Sequence, residues 1–248
     1  MRPLRALLLG AVAYGIFLLA TLPASVVASL AASATEGRIR LLEARGTAWH
    51  GSARVEASLP GATIALDELR WRWLASRLAT GRVAFAIEAR LGTLHAEAEA
   101  ARSPTAWHLA DLRAKGDGSA IAALHPLAAA WQPAGAVAIE AKALSWDGRN
   151  AEGGATLEWR DAALALSPAR PLGSWRAQAV AEGPAFRIAV TTLAGPLRIT
   201  GQGTLPIRGR LAFTGEASAE PSRARELQGL LDLLGPRRAD GAHALSIR

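Results

Sequence analysis

Cysteine is absent from this chain. That excludes a disulfide framework, a thiolate nucleophile and a cysteine zinc site together. Lysine is nearly absent as well, with only Lys115 and Lys142, so arginine carries almost all the positive charge. Histidine is scarce: His50, His95, His108, His125 and His243 never stand at the i+3 or i+4 spacing of a helical zinc pair. His95 and His108 can meet across neighbouring strands, but no carboxylates are placed around them. Glu97 and Glu99 share one strand face, a pattern that suits a solvated edge better than an acid/base pair. Ser119 lies between Asp117 and Ile121, so the G-x-S-x-G elbow is missing. Gly201-Gln202-Gly203 runs into Thr204-Leu205-Pro206 and lacks the third glycine of a dinucleotide loop. These absences lead us to expect no catalysis, no metal, no cofactor and no small-molecule substrate.

Charge is missing from one long stretch. Arg2 and Arg5 are followed by no charged residue from Ala6 to Thr35. A bilayer core of roughly 30 Å takes about 20 apolar residues in helical form, and Ala6 to Leu30 supplies them. Ala32-Ser33-Ala34 has the small-residue form of a signal cleavage site. The apolar run exceeds the roughly 7–15 residues of a secretory signal, which favours a retained anchor over a removed leader. Arg2 and Arg5 favour a cytoplasmic start, and long domains cross largely regardless of Arg38, Arg40 and Arg45 beyond the run. The expectation is a short cytoplasmic tip and one membrane helix in residues 1–35, with residues 36–248 outside the cytoplasm. The net charge of +7 and the sequence pI of about 11.1 would suit an anionic partner. The arginines, however, are scattered singly, with no run interleaved with aromatics, which argues against nucleic acid.

Beyond residue 36 the apolar period is two, the strand signal. Val83, Phe85, Ile87 and Leu91 alternate with Arg82, Glu88 and Arg90, and Phe186, Ile188 and Val190 alternate with Arg187 and Thr191. Similar alternation recurs around Val137, Leu197 and Leu211, with Gly or Pro turns at Pro60-Gly61, Gly153-Gly154, Gly183-Pro184 and Gly195-Pro196. Two segments depart from it. Ser119 to Trp131 places Ile121, Leu124 and Leu127 at helical spacing around Pro126, and Ser222 to Leu234 carries a Leu227, Leu230, Leu231, Leu234 stripe between Ser222 as cap and Gly235-Pro236 as stop. Landmarks repeat about a hundred residues apart: Trp49-His50-Gly51 and Leu69-Arg70-Trp71-Arg72 against Trp146-Asp147-Gly148 and Leu157-Glu158-Trp159-Arg160. The expected fold is therefore mainly β. An N-terminal transmembrane helix precedes a duplicated antiparallel sheet, either curved or in a two-layer sandwich, with two short helices. The repeats are expected at about 36–135 and 136–248. The eight tryptophans, all beyond the anchor, are expected to bury their rings and compensate for a core rich in alanine.

One further pattern is the element Gly46-Thr47-Ala48-Trp49-His50-Gly51. With the preceding Leu22-Pro23-Ala24, the Leu69 to Trp73 stretch and the closing Leu227 to Gly241 segment, it resembles the type II secretion system protein N family in order and spacing. The resemblance covers nearly the whole chain. It implies a non-enzymatic accessory component held in the bacterial inner membrane, with its body in the periplasm. Its implied partners are inner-membrane platform proteins, the secretin and inner-membrane lipid. It carries no catalytic residue to transfer, and it gives Gly46, Thr47, Trp49 and Gly51 a structural role. The family's sheet is also similar to the lipid grooves of AsmA-like proteins, which implies lipid binding or transport as the alternative function.

Overall fold

Because the period-two alternation persists for most of the chain, each strand presents one wet face and one apolar face to its neighbours. The computed structural model describes residues 2–59, 62–123 and 126–247. Two helices come first, α1 (Arg2–Ala20) and α2 (Ala24–Ala34). Six strands follow: β1 (Ile39–Gly46), β2 (His50–Leu59), β3 (Ala62–Trp73), β4 (Val83–Leu91), β5 (Leu94–Arg102) and β6 (Trp107–Asp117). The short helices α3 (Ser119–Ala122) and α4 (Pro126–Trp131) lead to β7 (Ala134–Trp146), β8 (Ala151–Ala163), β9 (Gly173–Glu182), β10 (Ala185–Ala194), β11 (Leu197–Pro206) and β12 (Ala212–Ala219). Helix α5 (Ala224–Leu234) and strand β13 (His243–Ile247) close the described chain.

All thirteen strands lie in one sheet in sequence order, every neighbouring pair antiparallel. The register keeps the two faces distinct across its width. On one face Arg70, Glu88, Glu97, Arg113 and Glu140 stand opposite one another on β3 to β7, so opposite charges adjoin at most steps. On the other, Ile139, Leu157, Ala177, Val190 and Gly201 stand opposite one another on β7 to β11.

Of the two arrangements expected for the body, the sandwich is not formed: the described strands make a single open sheet. The physical reason lies in the apolar face, whose middle positions are largely small, as at Ala96, Ala98, Ala114, Ala177, Gly201 and Gly215. A face with so little bulk offers a second sheet little area to bury. Short helices cover it locally instead. Leu227 and Leu231 of α5 pack with Trp175, Leu197, Ala217 and Leu172 in the larger cluster. Ala24 of α2 packs with Ala53 and Trp71 in a smaller one, flanked by Leu41, Leu69 and Phe85.

Two local expectations differ from the structure. The apolar run from Ala6 to Leu30 is not one helix but two, interrupted at Thr21–Pro23. Pro23 has extended geometry (φ −66°, ψ 147°) and disfavours helical conformation in the residue before it. Among the described residues, no helix is long and apolar enough to cross a membrane. At the other end, Ser222 makes no capping bond; it sits in a turn of 3₁₀-helix (Pro221–Arg223) that leads into α5. The stripe itself forms, with Leu227 and Leu231 buried. In the middle segment, Ile121 and Trp131 lie on α3 and α4, while Leu124 and His125 lie outside the described residues.

Candidate functional site at the helix–sheet junction

The hairpin between β1 and β2 carries Gly46, Thr47, Trp49 and Gly51, and its sharpness follows from its two glycines. Gly46 adopts φ +86°, and a Cβ there would lie 2.5 Å from the His50 carbonyl oxygen. A Cβ on Gly51 would meet the Arg45 carbonyl oxygen and the Trp71 ring, both at 2.6 Å. Thr47 closes the turn from within. Its backbone N–H donates to the His50 carbonyl at 2.8 Å, and its Oγ1 accepts from the backbone N–H of Trp49 at 3.3 Å and of His50 at 3.1 Å.

Trp71 holds this turn down onto the sheet. Its Nε1 donates to the Thr47 and Ala48 carbonyls at 3.2 and 3.1 Å. Trp49 extends the other way. Its Nε1 donates to the carbonyl of Leu19, in the last turn of α1, at 2.7 Å. The Ala48 N–H donates to the Leu22 carbonyl at 2.8 Å, and Pro23 bridges Thr47 in antiparallel fashion. A helix leaves its last carbonyls without internal partners, and here the sheet supplies two donors to that region. Trp49 also stacks at an angle on Trp73, with ring centroids 4.9 Å apart, and the Trp73 N–H donates to the Trp49 carbonyl. The buried Trp73 Nε1 has no hydrogen-bond partner among the described residues.

The four motif residues thus come together in one clamp between the N-terminal helices and the sheet. Leu22, Pro23 and Trp73, from the other parts of the same sequence pattern, belong to this site too, and so does Leu19, which that pattern did not include. Pro23 inside an apolar run was the one available signal of the break that brings them there.

On the opposite face of the same hairpin lies a recess of about 480 Å³ lined by Arg45, His50, Ser52, Arg70, Arg72 and Glu88. His50 stands opposite Arg72, and Ser52 stands opposite both Arg45 and Arg70. Arg70 Nε donates to Glu68 at 2.9 Å. Neither Arg45 nor Arg72 forms an ion pair with a described residue.

The other candidates do not assemble. His95 stands opposite Arg90 and Lys115, while His108 stands opposite Ala101, far along the ladder. His108 Nε2 lies 3.2 Å from Ser103 Oγ, and burial, followed by the charges of Arg82 and Arg102, holds its pKa below the ordinary imidazole value. Glu99 is bound to Arg77 at 2.8 Å, and a bulge separates it from Glu97, which faces Arg113. Among the described residues no cluster of three or more His, Asp or Glu is placed to hold a metal ion.

The sequence model of type II secretion system protein N matches residues 37–246. The chain belongs to the type II secretion system protein N family. No curated protein and no solved structure matches it. The matched range contains the whole clamp hairpin and all thirteen strands except the end of β13, and it begins after the helices that the clamp grips. Membership in the type II secretion system protein N family gives the chain a role in type II secretion and an envelope setting.

Proposed function

We propose that the chain is a non-enzymatic, inner-membrane-anchored periplasmic accessory of type II secretion that acts through contacts with other components of the machine. The observation that carries this reading is α1. From Gly10 to Ala20 every residue is exposed, and Leu7, Val12, Tyr14, Ile16 and Phe17 are each more than half exposed. So much unpartnered apolar surface on one helix is unfavourable in water and favourable in a bilayer. Arg2 and Arg5 stand at the start of this helix, the placement that favours a cytoplasmic N-terminus. The clamp then fixes the sheet to the far end of that helix. In this reading residues 1–35 are the anchor and residues 36–248 the periplasmic body. The body consists of two units, about 36–135 and 136–248, alike in their order of strands followed by a helix.

Protease added to intact spheroplasts is expected to digest the body and leave a small membrane-bound fragment. Full protection of the body overturns the topology. Affinity capture of the full chain from solubilised membranes is expected to bring platform proteins or the secretin with it; capture of none of them overturns the scaffold role.

A second reading, a periplasmic lipid-binding groove, draws on one observation. Trp131, Trp159, Trp175, Leu197, Leu230 and Leu234 contribute to the lining of a cavity of about 380 Å³ in which every lining residue is apolar. Such a cavity suits hydrocarbon and offers no polar anchor for anything else. Stoichiometric phospholipid on the purified chain, measured by mass spectrometry, would favour this reading over the scaffold.

A further inference from the structure

Several arginines of the body are held by carboxylates, while others on the strands, Arg40, Arg102, Arg113 and Arg198 among them, form no ion pair with a described residue. Arg54 pairs with Glu43 at 3.1 Å, Arg77 with Glu99 at 2.8 Å, Arg187 with Glu182 at 2.7 Å, and Arg160 and Arg176 share Glu158 at 2.6 Å each. The recess beside the clamp is set apart by the number of arginines it gathers. Arg45, Arg70 and Arg72 converge there with His50, against one carboxylate in the lining, Glu88. Among the described residues Glu88 forms no ion pair, and of the three arginines only Arg70 bonds to an acid, Glu68, outside the recess. Arg45 and Arg70 flank Ser52 from the strands on either side, and Arg72 stands two residues beyond Arg70 on the same strand face. An arrangement that leaves Arg45 and Arg72 uncompensated is therefore suited to an anion from outside the chain. Guanidinium forks match the oxygens of a phosphate in pairs, which a single ammonium does not.

Position selects the source of that phosphate. The hairpin bearing Arg45 and His50 is bonded to the last turn of α1 through Trp49 Nε1 and the Leu19 carbonyl at 2.7 Å, and through Ala48 N–H and the Leu22 carbonyl at 2.8 Å. The recess therefore opens within a few residues of the place where α1 stops. With α1 across the bilayer, that level is the headgroup layer, where phosphodiesters are concentrated and anionic lipids attract basic pockets.

We propose that the recess formed by Arg45, Arg70, Arg72 and His50 binds the headgroup of an anionic phospholipid. This rests on the anchor reading for the source of the ligand, but the arginine geometry itself does not. The lipid fixes the orientation of the body against the membrane, because its phosphate would join the face of the hairpin opposite the one held by Trp71.

The test uses the full chain in detergent, titrated with phosphatidylglycerol or phosphatidylcholine and read by native mass spectrometry. Preferential retention of phosphatidylglycerol is expected. In Arg45→Gln/Arg72→Gln, retention should fall by about tenfold, the loss expected for even one charge-assisted contact. Arg198→Gln/Arg210→Gln, which removes the same charge on β11 and in the loop that follows it, should leave retention unchanged. Equal loss in both pairs, or no loss in the first, overturns the site. Excess inorganic phosphate that displaces the lipid completely would make the recess a free-phosphate site and overturn the lipid assignment. Loss of lipid together with a lowered melting temperature is resolved by Ser52→Glu, which places a carboxylate among the arginines. Retention in that variant must also fall, or the site is overturned. Alkaline carbonate extraction of membranes tests the anchor separately. A wild-type chain released by carbonate fails the anchor reading, whatever the titration shows.

Discussion

Gly46 and the two tryptophans of the clamp illustrate how much single residues decide here. At φ +86° and with the His50 carbonyl 2.5 Å from where a Cβ would sit, Gly46 has no sterically acceptable replacement. Gly46→Ala should lower stability by about 2 kcal/mol or more, from left-handed backbone strain plus the clash, measurable as a lower urea midpoint. The tryptophans behave oppositely to each other. Trp49 spends its indole N–H on the Leu19 carbonyl, whereas the buried Trp73 Nε1 donates to no described residue. A buried donor without a partner costs about 1–3 kcal/mol. Trp73→Phe is therefore expected to be neutral or stabilising by about 1 kcal/mol, and Trp49→Phe destabilising by a similar amount; equal losses in both would contradict the assignment of partners. The hairpin turn was legible from Gly46 and Gly51. The contact from Trp49 to Leu19 was not, because a hydrogen bond spanning thirty residues leaves no local pattern.

At the scale of elements, the strands were the most legible feature and the helix ends the least. Alternation at Val83, Phe85 and Ile87 or at Phe186, Ile188 and Val190 reflects an apolar row of the sheet directly, and those strands formed as expected. The alternation says nothing of what covers that row, which is why a sandwich and a single sheet were both compatible with it. The N-terminal run looked like one helix because every residue in it is apolar or small. Pro23 overrides that uniformity by geometry alone. Ser222 looked like a cap because its type and position fit, yet a 3₁₀ turn intervenes before α5 begins. What α5 contributes is burial: Leu227 is fully buried against Trp175, Leu197 and Ala217. Leu227→Ala should cost about 2–5 kcal/mol, the range for a leucine removed from a packed core. Leu233→Ala, at a residue 76% exposed on the same helix, should be nearly silent in the same thermal melts.

For the whole molecule, the titrating groups point in one direction. Asp117 accepts from the Ser119 and Gly135 N–H groups, Asp147 from those of Asn150 and Arg149, and Glu158 from Arg176 and Arg160; these bonds hold each carboxyl below the ordinary carboxylate range. The unfolded chain therefore takes up protons first, and stability that is complete above about pH 4 is lost as pH falls through that range toward the lowered values. His108, held below its ordinary value by burial, adds an earlier loss beginning near pH 6.5. The urea midpoint should decline in two stages on acidification, and Asp117→Asn should flatten the lower one. A midpoint that rises with acid would contradict both assignments. The sequential pairing of the sheet has a consequence of its own. Each of the thirteen strands hydrogen-bonds only to its immediate neighbours in the sequence, so none waits for a partner made much later. Loop closure is short at every step, and the entropy of ordering is met in small instalments. On the anchored topology proposed above, the chain can thus zip up strand by strand as it emerges from a translocation pore. Its growing edge is always the segment most recently delivered.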